Sequence, residues 1–120
     1  MDKLLENKNI LVTGASGGIG RITSVTLASY GANLILAGRN IANLTRTSEE
    51  IKKIGRISTC IPTDVTSQAE VNNLFTTIDK TFEKLDGAFN NSGFIERPTS
   101  VHELEDEVFF EVMQTNVYGT

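Results

Sequence analysis

Thr13, Gly14, Ala15, Ser16, Gly17, Gly18, Ile19 and Gly20 make up the stretch whose residue types and spacing point most directly to chemistry. Glycines that follow an apolar run and open a helix let the backbone approach a phosphate closely. The helix start then supplies free N–H groups and a partial positive charge. The chemistry implied is the binding of a pyrophosphate, and so of a dinucleotide. A plain tight turn with close helix packing would use the same residues. The position directly after the first apolar strand of an alternating chain favours the nucleotide.

Three further groups sit at equivalent places, just after later apolar runs. Gly38-Arg39-Asn40 lies where an acidic residue would bond the ribose 2′-hydroxyl of NAD. No Asp or Glu is present there. Arg39 offers its planar fork to a 2′-phosphate through charge-assisted bonds, so NADP(H) is expected in preference to NAD(H). A solvated surface arginine is the alternative. Thr63-Asp64-Val65 follows the third run, where Asp64 equally suits an ordinary turn or helix start. Phe89-Asn90-Asn91-Ser92-Gly93 follows the fourth. Taken alone it is a polar turn.

These groups need strands that bring their ends to one side of a sheet. Asn9–Thr13, Asn33–Ala37, Ile57–Ile61 and Gly87–Asn90 read as four short strands, the third ended by Pro62. Between them lie helical patterns. Ile19, Ile22, Val25 or Thr26, and Tyr30 recur at helical spacing before Gly31. Ile41, Leu44, Ile51 and Ile54 do so before Gly55. Ser67-Gln68-Ala69-Glu70 reads as a capping box for a third helix, whose apolar face is Val71, Leu74, Phe75, Ile78 and Phe82. A fourth helix is expected from near Glu103 to near Thr120. Strand–helix alternation with near-continuous apolar strands means an α/β fold, a doubly wound parallel sheet of Rossmann type. The expected order is 3-2-1-4, with the ligand at the carboxyl ends of the strands.

Composition removes several other classes. The 120 residues suit one domain, with 39% hydrophobic and 22% charged residues in the ordinary globular balance. A net charge of −4 without a basic cluster argues against nucleic acid or an anionic membrane as partner. The opening residues hold no secretory run, and no stretch approaches the roughly 20 apolar residues of a membrane span. Cys60 is the only cysteine and His102 the only histidine, so no internal disulfide and no metal site are expected. A reducing, cytoplasmic setting follows. Cys60 and Tyr30 read as packing residues, and the acidic pairs Glu49-Glu50 and Glu105/Asp106/Glu107 as solvated helix faces.

Thr13-Gly14-x-x-x-Gly18-x-Gly20 resembles the glycine signature of the short-chain dehydrogenase/reductase family. Gly17 makes the same run fit Thr-Gly-x-x-Gly-x-x-Gly, the pattern of the family's extended branch. Asn90-Asn91-Ser92-Gly93 resembles the Asn-Asn-Ala-Gly of the classical branch and selects that branch, with Ser92 where alanine is usual. The resemblance implies hydride transfer between NADP(H) and a small carbonyl or alcohol substrate. It implies that Asp64 bonds the adenine edge, that Val65 packs on that ring, and that Asn90 ties the central strands. Asn91, Ser92 and Gly93 would line the cofactor. Gln114-Thr115-Asn116 resembles the segment carrying the Asn of the catalytic tetrad. Asn116 would then sit at a helix irregularity, its carbonyl holding a water on the proton path. Family members are often tetramers, so a homo-oligomer is implied for a full-length protein.

The resemblance runs from Lys8 to Thr120 and covers about half of a family member. The family's later Ser and Tyr-x-x-x-Lys have no counterpart here: Tyr30 is followed at i+4 by Leu34, and Tyr118 by two residues. The chain thus reads as truncated after the fourth strand and its helix, without the family's general acid/base, and inactive alone. The fourth strand is expected to be an exposed edge. The fourth helix is expected to be apolar on more than one side, through Leu104, Val108 and Val112 and through Phe109, Phe110 and Met113. A non-catalytic NADP(H)-binding module and an inert remnant remain the other readings of the 120 residues. Sequencing the reading frame past Thr120 separates them from an ordinary reductase.

Overall fold

A computed structural model describes residues 2–120. Four parallel strands, β1 (Asn9–Thr13), β2 (Asn33–Gly38), β3 (Ser58–Pro62) and β4 (Gly87–Phe89), form one sheet in the order β3-β2-β1-β4. Helices α1 (Gly18–Ser29), α2 (Ile41–Lys53) and α3 (Gln68–Thr81) connect them. The chain continues through a 3-10 turn (Val101–Glu103) into α4 (Asp106–Met113), then a π-helical segment (Gln114–Tyr118).

The apolar runs form the middle of the sheet because both of its faces are covered. Val12, Leu34 and Leu36 pack on one face with Ala28, Leu44 and Ile51 from α1 and α2. Leu11, Ile35, Ala37 and Ile61 pack on the other with Leu74 and Ile78 of α3. The glycine stops work through the backbone. Gly31 (φ +102) and Gly55 (φ +78) take the left-handed conformation that an L side chain resists. Ala32 N–H then reaches Leu27 O and Arg56 N–H reaches Ile51 O, closing two helix ends in the same manner.

Several details differ from the sequence reading. The buried face of α1 is Gly20, Ser24 and Ala28, while Ile19 and Ile22 are 70% and 62% exposed. The glycine turn brings α1 so close to β1 that only small residues fit between them. Ser24 costs little there because its hydroxyl donates to Gly20 O at 2.7 Å. Ile41, Ile54 and Phe75 are likewise exposed, so α2 buries Leu44, Thr47 and Ile51, and α3 buries Leu74 and Ile78. Ile57 lies outside β3, 78% exposed, and Asn90 lies outside β4. The fourth helix is not continuous from Glu103, because Leu104 and Glu105 are extended between the 3-10 turn and α4.

β4 is an edge strand with Ala88 and Phe89 exposed. α4 has no buried residue. Leu104, Val108 and Val112 are half-buried, whereas Phe109, Phe110 and Met113 are exposed. Among the described residues no helix is long and apolar enough to cross a membrane.

Candidate functional site

The carboxyl ends of all four strands open on one cleft of about 630 Å³. Gly14, Gly17, Gly18 and Ile19 form one wall. Gly38 and Arg39 lie at the end of β2 with Asn43 in the first turn of α2, Asp64 and Val65 at the end of β3, and Asn91, Ser92 and Gly93 at the end of β4. Such a volume suits a dinucleotide rather than a metal ion or small anion.

The glycine turn is shaped by contacts that exclude side chains. A methyl group built on Gly20 would overlap the Gly14 carbonyl and lie 2.7 Å from Asn91 Nδ2. Gly14 (φ +62) and Gly18 (φ +53) occupy the left-handed region. Gly17 and Gly18 face open space, with nothing within 4 Å of a Cβ built on either. Bare backbone beside an open cleft at a helix start is what a pyrophosphate needs. The residues present therefore fit a dinucleotide.

Two predicted members of the wall lie beneath it. Ala15 is fully buried and does not line the cleft. Its N–H donates to Ala37 O at 3.1 Å, and its carbonyl accepts from the Thr47 hydroxyl at 2.9 Å. Gly20 is buried in the contact between α1 and β1. Both shape the turn from behind.

The join between β1 and β4 also differs from expectation. Among the described residues, no side-chain hydrogen bond from Asn90 ties the strands. Thr13 does so instead, because its hydroxyl oxygen accepts Asn91 N–H at 3.0 Å and Ser92 N–H at 3.1 Å. Asn91 Nδ2 adds a bond to Gly14 O at 3.2 Å. Thr13 is nearly buried, so losing its oxygen would strand two amide donors. Thr13→Val, which keeps the shape, is expected to lower stability by about 1–3 kcal/mol. Urea unfolding of the two proteins measures it.

At the end of β3, Asp64 Oδ1 accepts from the Thr66 hydroxyl at 2.7 Å and from Thr66 N–H at 2.9 Å. These bonds, hydroxyl first, and then the charge of Arg39, hold the Asp64 carboxyl below its ordinary range. Asp64 thus serves as a turn residue through one oxygen, while the other accepts no hydrogen bond from a described residue. The capping box is only half formed. Ser67 Oγ accepts Glu70 N–H at 3.3 Å, but Glu70 Oε1 accepts from Asp64 N–H at 3.2 Å. Glu70 therefore fastens the β3 end to α3.

Asn116 does sit at a helix irregularity, the π-helical segment Gln114–Tyr118. Its carboxamide clasps the backbone of Phe94, accepting from the N–H at 2.9 Å and donating to the carbonyl at 2.8 Å. Its own carbonyl accepts from the Thr120 hydroxyl at 3.2 Å. Thr115 rather than Asn116 lines the cleft. Val65 presses on the end of the π-helical segment, 2.7 Å from a Cβ built on Gly119. Residue type alone showed neither the Asn116 clasp nor the Thr13 tie. Both depend on pairings across the fold.

The sequence model described as short chain dehydrogenase matches residues 8–120. The chain belongs to this family, as a member of its classical branch. It is 37% identical over 120 residues to the oxidoreductase YciK of Escherichia coli, covering 98% of this chain and 48% of that protein. It is 36% identical to a 3beta-hydroxysteroid dehydrogenase of Mediterraneibacter gnavus, covering 93% of this chain and 41% of that protein. The crystal structure of E. coli YciK superposes with a TM-score of 0.92 at 35% identity, over 98% of this chain and 49% of its own. NAD+-bound xylitol dehydrogenase superposes with a TM-score of 0.93 at 30% identity, over 97% and 45%. The chain spans about half the length of the relatives it matches. Its family acts on small molecules with a nicotinamide cofactor, NAD(H) or NADP(H), and its relatives are oxidoreductases.

Proposed function

We propose that this chain is the cofactor-binding portion of an oxidoreductase that uses NADP(H) and transfers hydride to or from a small carbonyl or alcohol. One observation carries the choice of cofactor. Arg39, exposed at the end of β2, borders the same cleft as the glycine turn, and no carboxylate accompanies it on that strand end. The bound nicotinamide supplies the hydride chemistry. The chain holds and orients it. Gly14, Ser16, Gly17, Gly18 and Ile19 flank the pyrophosphate, and Arg39 pairs with the 2′-phosphate. Asp64 offers its unpaired oxygen to the adenine amino group beside Val65. Asn91, Ser92 and Gly93 line the nicotinamide half. Asn116 keeps the Phe94 segment and the π-helical segment in register, the place where its carbonyl would order a water on the proton path.

The exposed Phe109, Phe110 and Met113 support a homo-oligomer in which this apolar face is covered. A single cysteine suits a cytoplasmic setting.

Arg39→Ala is expected to weaken NADPH binding by about 1.5–3 kcal/mol, the worth of a charge-assisted bond, and to leave NADH binding nearly unchanged. Titration of both nucleotides against folded protein decides it. Equal losses for the two would overturn the choice of NADP(H).

A further inference from the structure

The end of the cleft near β2 holds a second polar side chain that the reading above does not use. Asn43 lies in the first turn of α2, half-buried, and lines the cleft in company with Ser16, Gly38, Arg39 and Asn40. Its backbone is firmly placed. Asn40 caps α2 by accepting Asn43 N–H at 3.1 Å on its side-chain oxygen, and the Thr47 hydroxyl donates to Asn43 O at 3.4 Å. The carboxamide of Asn43, by contrast, makes no hydrogen bond to any described residue. An amide held in a cleft wall with both polar ends free is available to a ligand. Its position near the start of α2 adds the helix's partial positive charge, which favours an anion.

We propose that the Asn43 side-chain amide is a specificity-determining donor, acting beside Arg39 on the 2′-phosphate of NADP(H). The inference rests on the NADP(H) reading of the cleft and adds to it a neutral donor whose backbone is fixed by the fold. Arg39, on an exposed strand end, supplies charge on a long flexible stem. Asn43 supplies a neutral N–H on a short side chain whose backbone is held by the Asn40 cap, close to the positive end of α2, where an anion is favoured over a neutral hydroxyl.

Two variants test this without disturbing the helix. Asn43→Ala raises intrinsic helix propensity, and Asn43→Asp places a carboxylate in the first turn, where the helix tolerates it well. The Asn40 cap survives in both because it uses the backbone of residue 43. The probes are 2′,5′-ADP and 5′-ADP, titrated calorimetrically against the full chain, with a thermal melt of each variant as the folding check. Asn43→Ala is expected to weaken 2′,5′-ADP about tenfold, the worth of one bond to a charged acceptor, and to change 5′-ADP less than about twofold. Asn43→Asp is expected to weaken 2′,5′-ADP further through repulsion and to spare 5′-ADP. If the parent chain does not prefer 2′,5′-ADP, the NADP(H) reading itself fails. If the parent prefers it and both variants keep that preference, the reading stands and the role of Asn43 is overturned. Equal weakening of both probes in well-folded variants also overturns it.

Discussion

Gly20→Ala is expected to cost about 3 kcal/mol or more and to remove nucleotide binding with it. The added methyl group would overlap the Gly14 carbonyl oxygen and meet Asn91 Nδ2 at 2.7 Å. Backbone on one side and a hydrogen-bonded carboxamide on the other leave no flexible tip to move aside. Relief requires α1 to lift from β1, which breaks the Asn91 to Gly14 bond and re-aims the N–H groups at the helix start. For a chain whose whole stability is on the order of 5–15 kcal/mol, this is a large fraction. Gly17→Ala is the matched control. Gly17 has an extended φ of −167° and open space where its Cβ would stand. Urea unfolding should separate the two variants clearly, and an unchanged midpoint for Gly20→Ala would mean that the turn is looser than its contacts imply.

Leu44→Ala is expected to cost about 2–5 kcal/mol, the range for emptying a fully buried leucine site. Leu44 stands under the end of β2, where its Cδ2 lies 3.2 Å from a Cβ built on Gly38, and its carbonyl accepts from the Cys60 thiol at 3.6 Å. The cavity would open directly beneath Gly38 and Arg39. Nucleotide affinity should therefore fall along with stability. Ile41→Ala, three residues earlier on the same helix but 52% exposed, should change stability by no more than about 0.5 kcal/mol. Thermal unfolding measures both, and equal shifts would contradict the placement of the core.

Much of this architecture is legible in residue order. Parallel strands buried on two faces must be continuous apolar runs, so β1 and β2 stand out from composition alone, and β1 spans the expected residues. Gly31 and Gly55 mark helix ends because the required φ is costly for any other residue. The inward face of α1 is not legible, because apolar periodicity assumes that the largest residues go inside. Here the separation between helix and strand is set by Gly14 and Gly20, and the small residues win. The site divides in the same way. The positions of Arg39, Asp64 and Asn91 around one cleft follow from strand ends and sheet order. The burial of Ala15, the Thr13 tie and the Asn116 clasp depend on which backbone groups lack partners after the chain has folded. Asn90 and Asn91 illustrate the limit. Adjacent and identical in type, they part in the fold: Asn91 lines the cleft and bonds Gly14 and Thr13, whereas the Asn90 side chain is exposed and bonds no described residue.

The pairing of β4 with β1 joins residues nearly eighty positions apart and spans only Ile10 to Val12. Pairings so distant carry the largest loop-closure entropy and receive few ladder bonds in return. β2 and β3 each pair with a strand about 25 residues away, over a longer register. Docking of β4 is therefore expected to be a late event in folding, and its pairing is expected to open before those of β2 and β3; amide hydrogen exchange that is slower in β4 than in β3 would contradict this. Asn91, Ser92 and the clasped Phe94 segment travel with it. On that expectation the glycine turn and Arg39 form early, and the opposite wall of the cleft assembles last. A nucleotide that touches both walls would slow unfolding by bridging that gap.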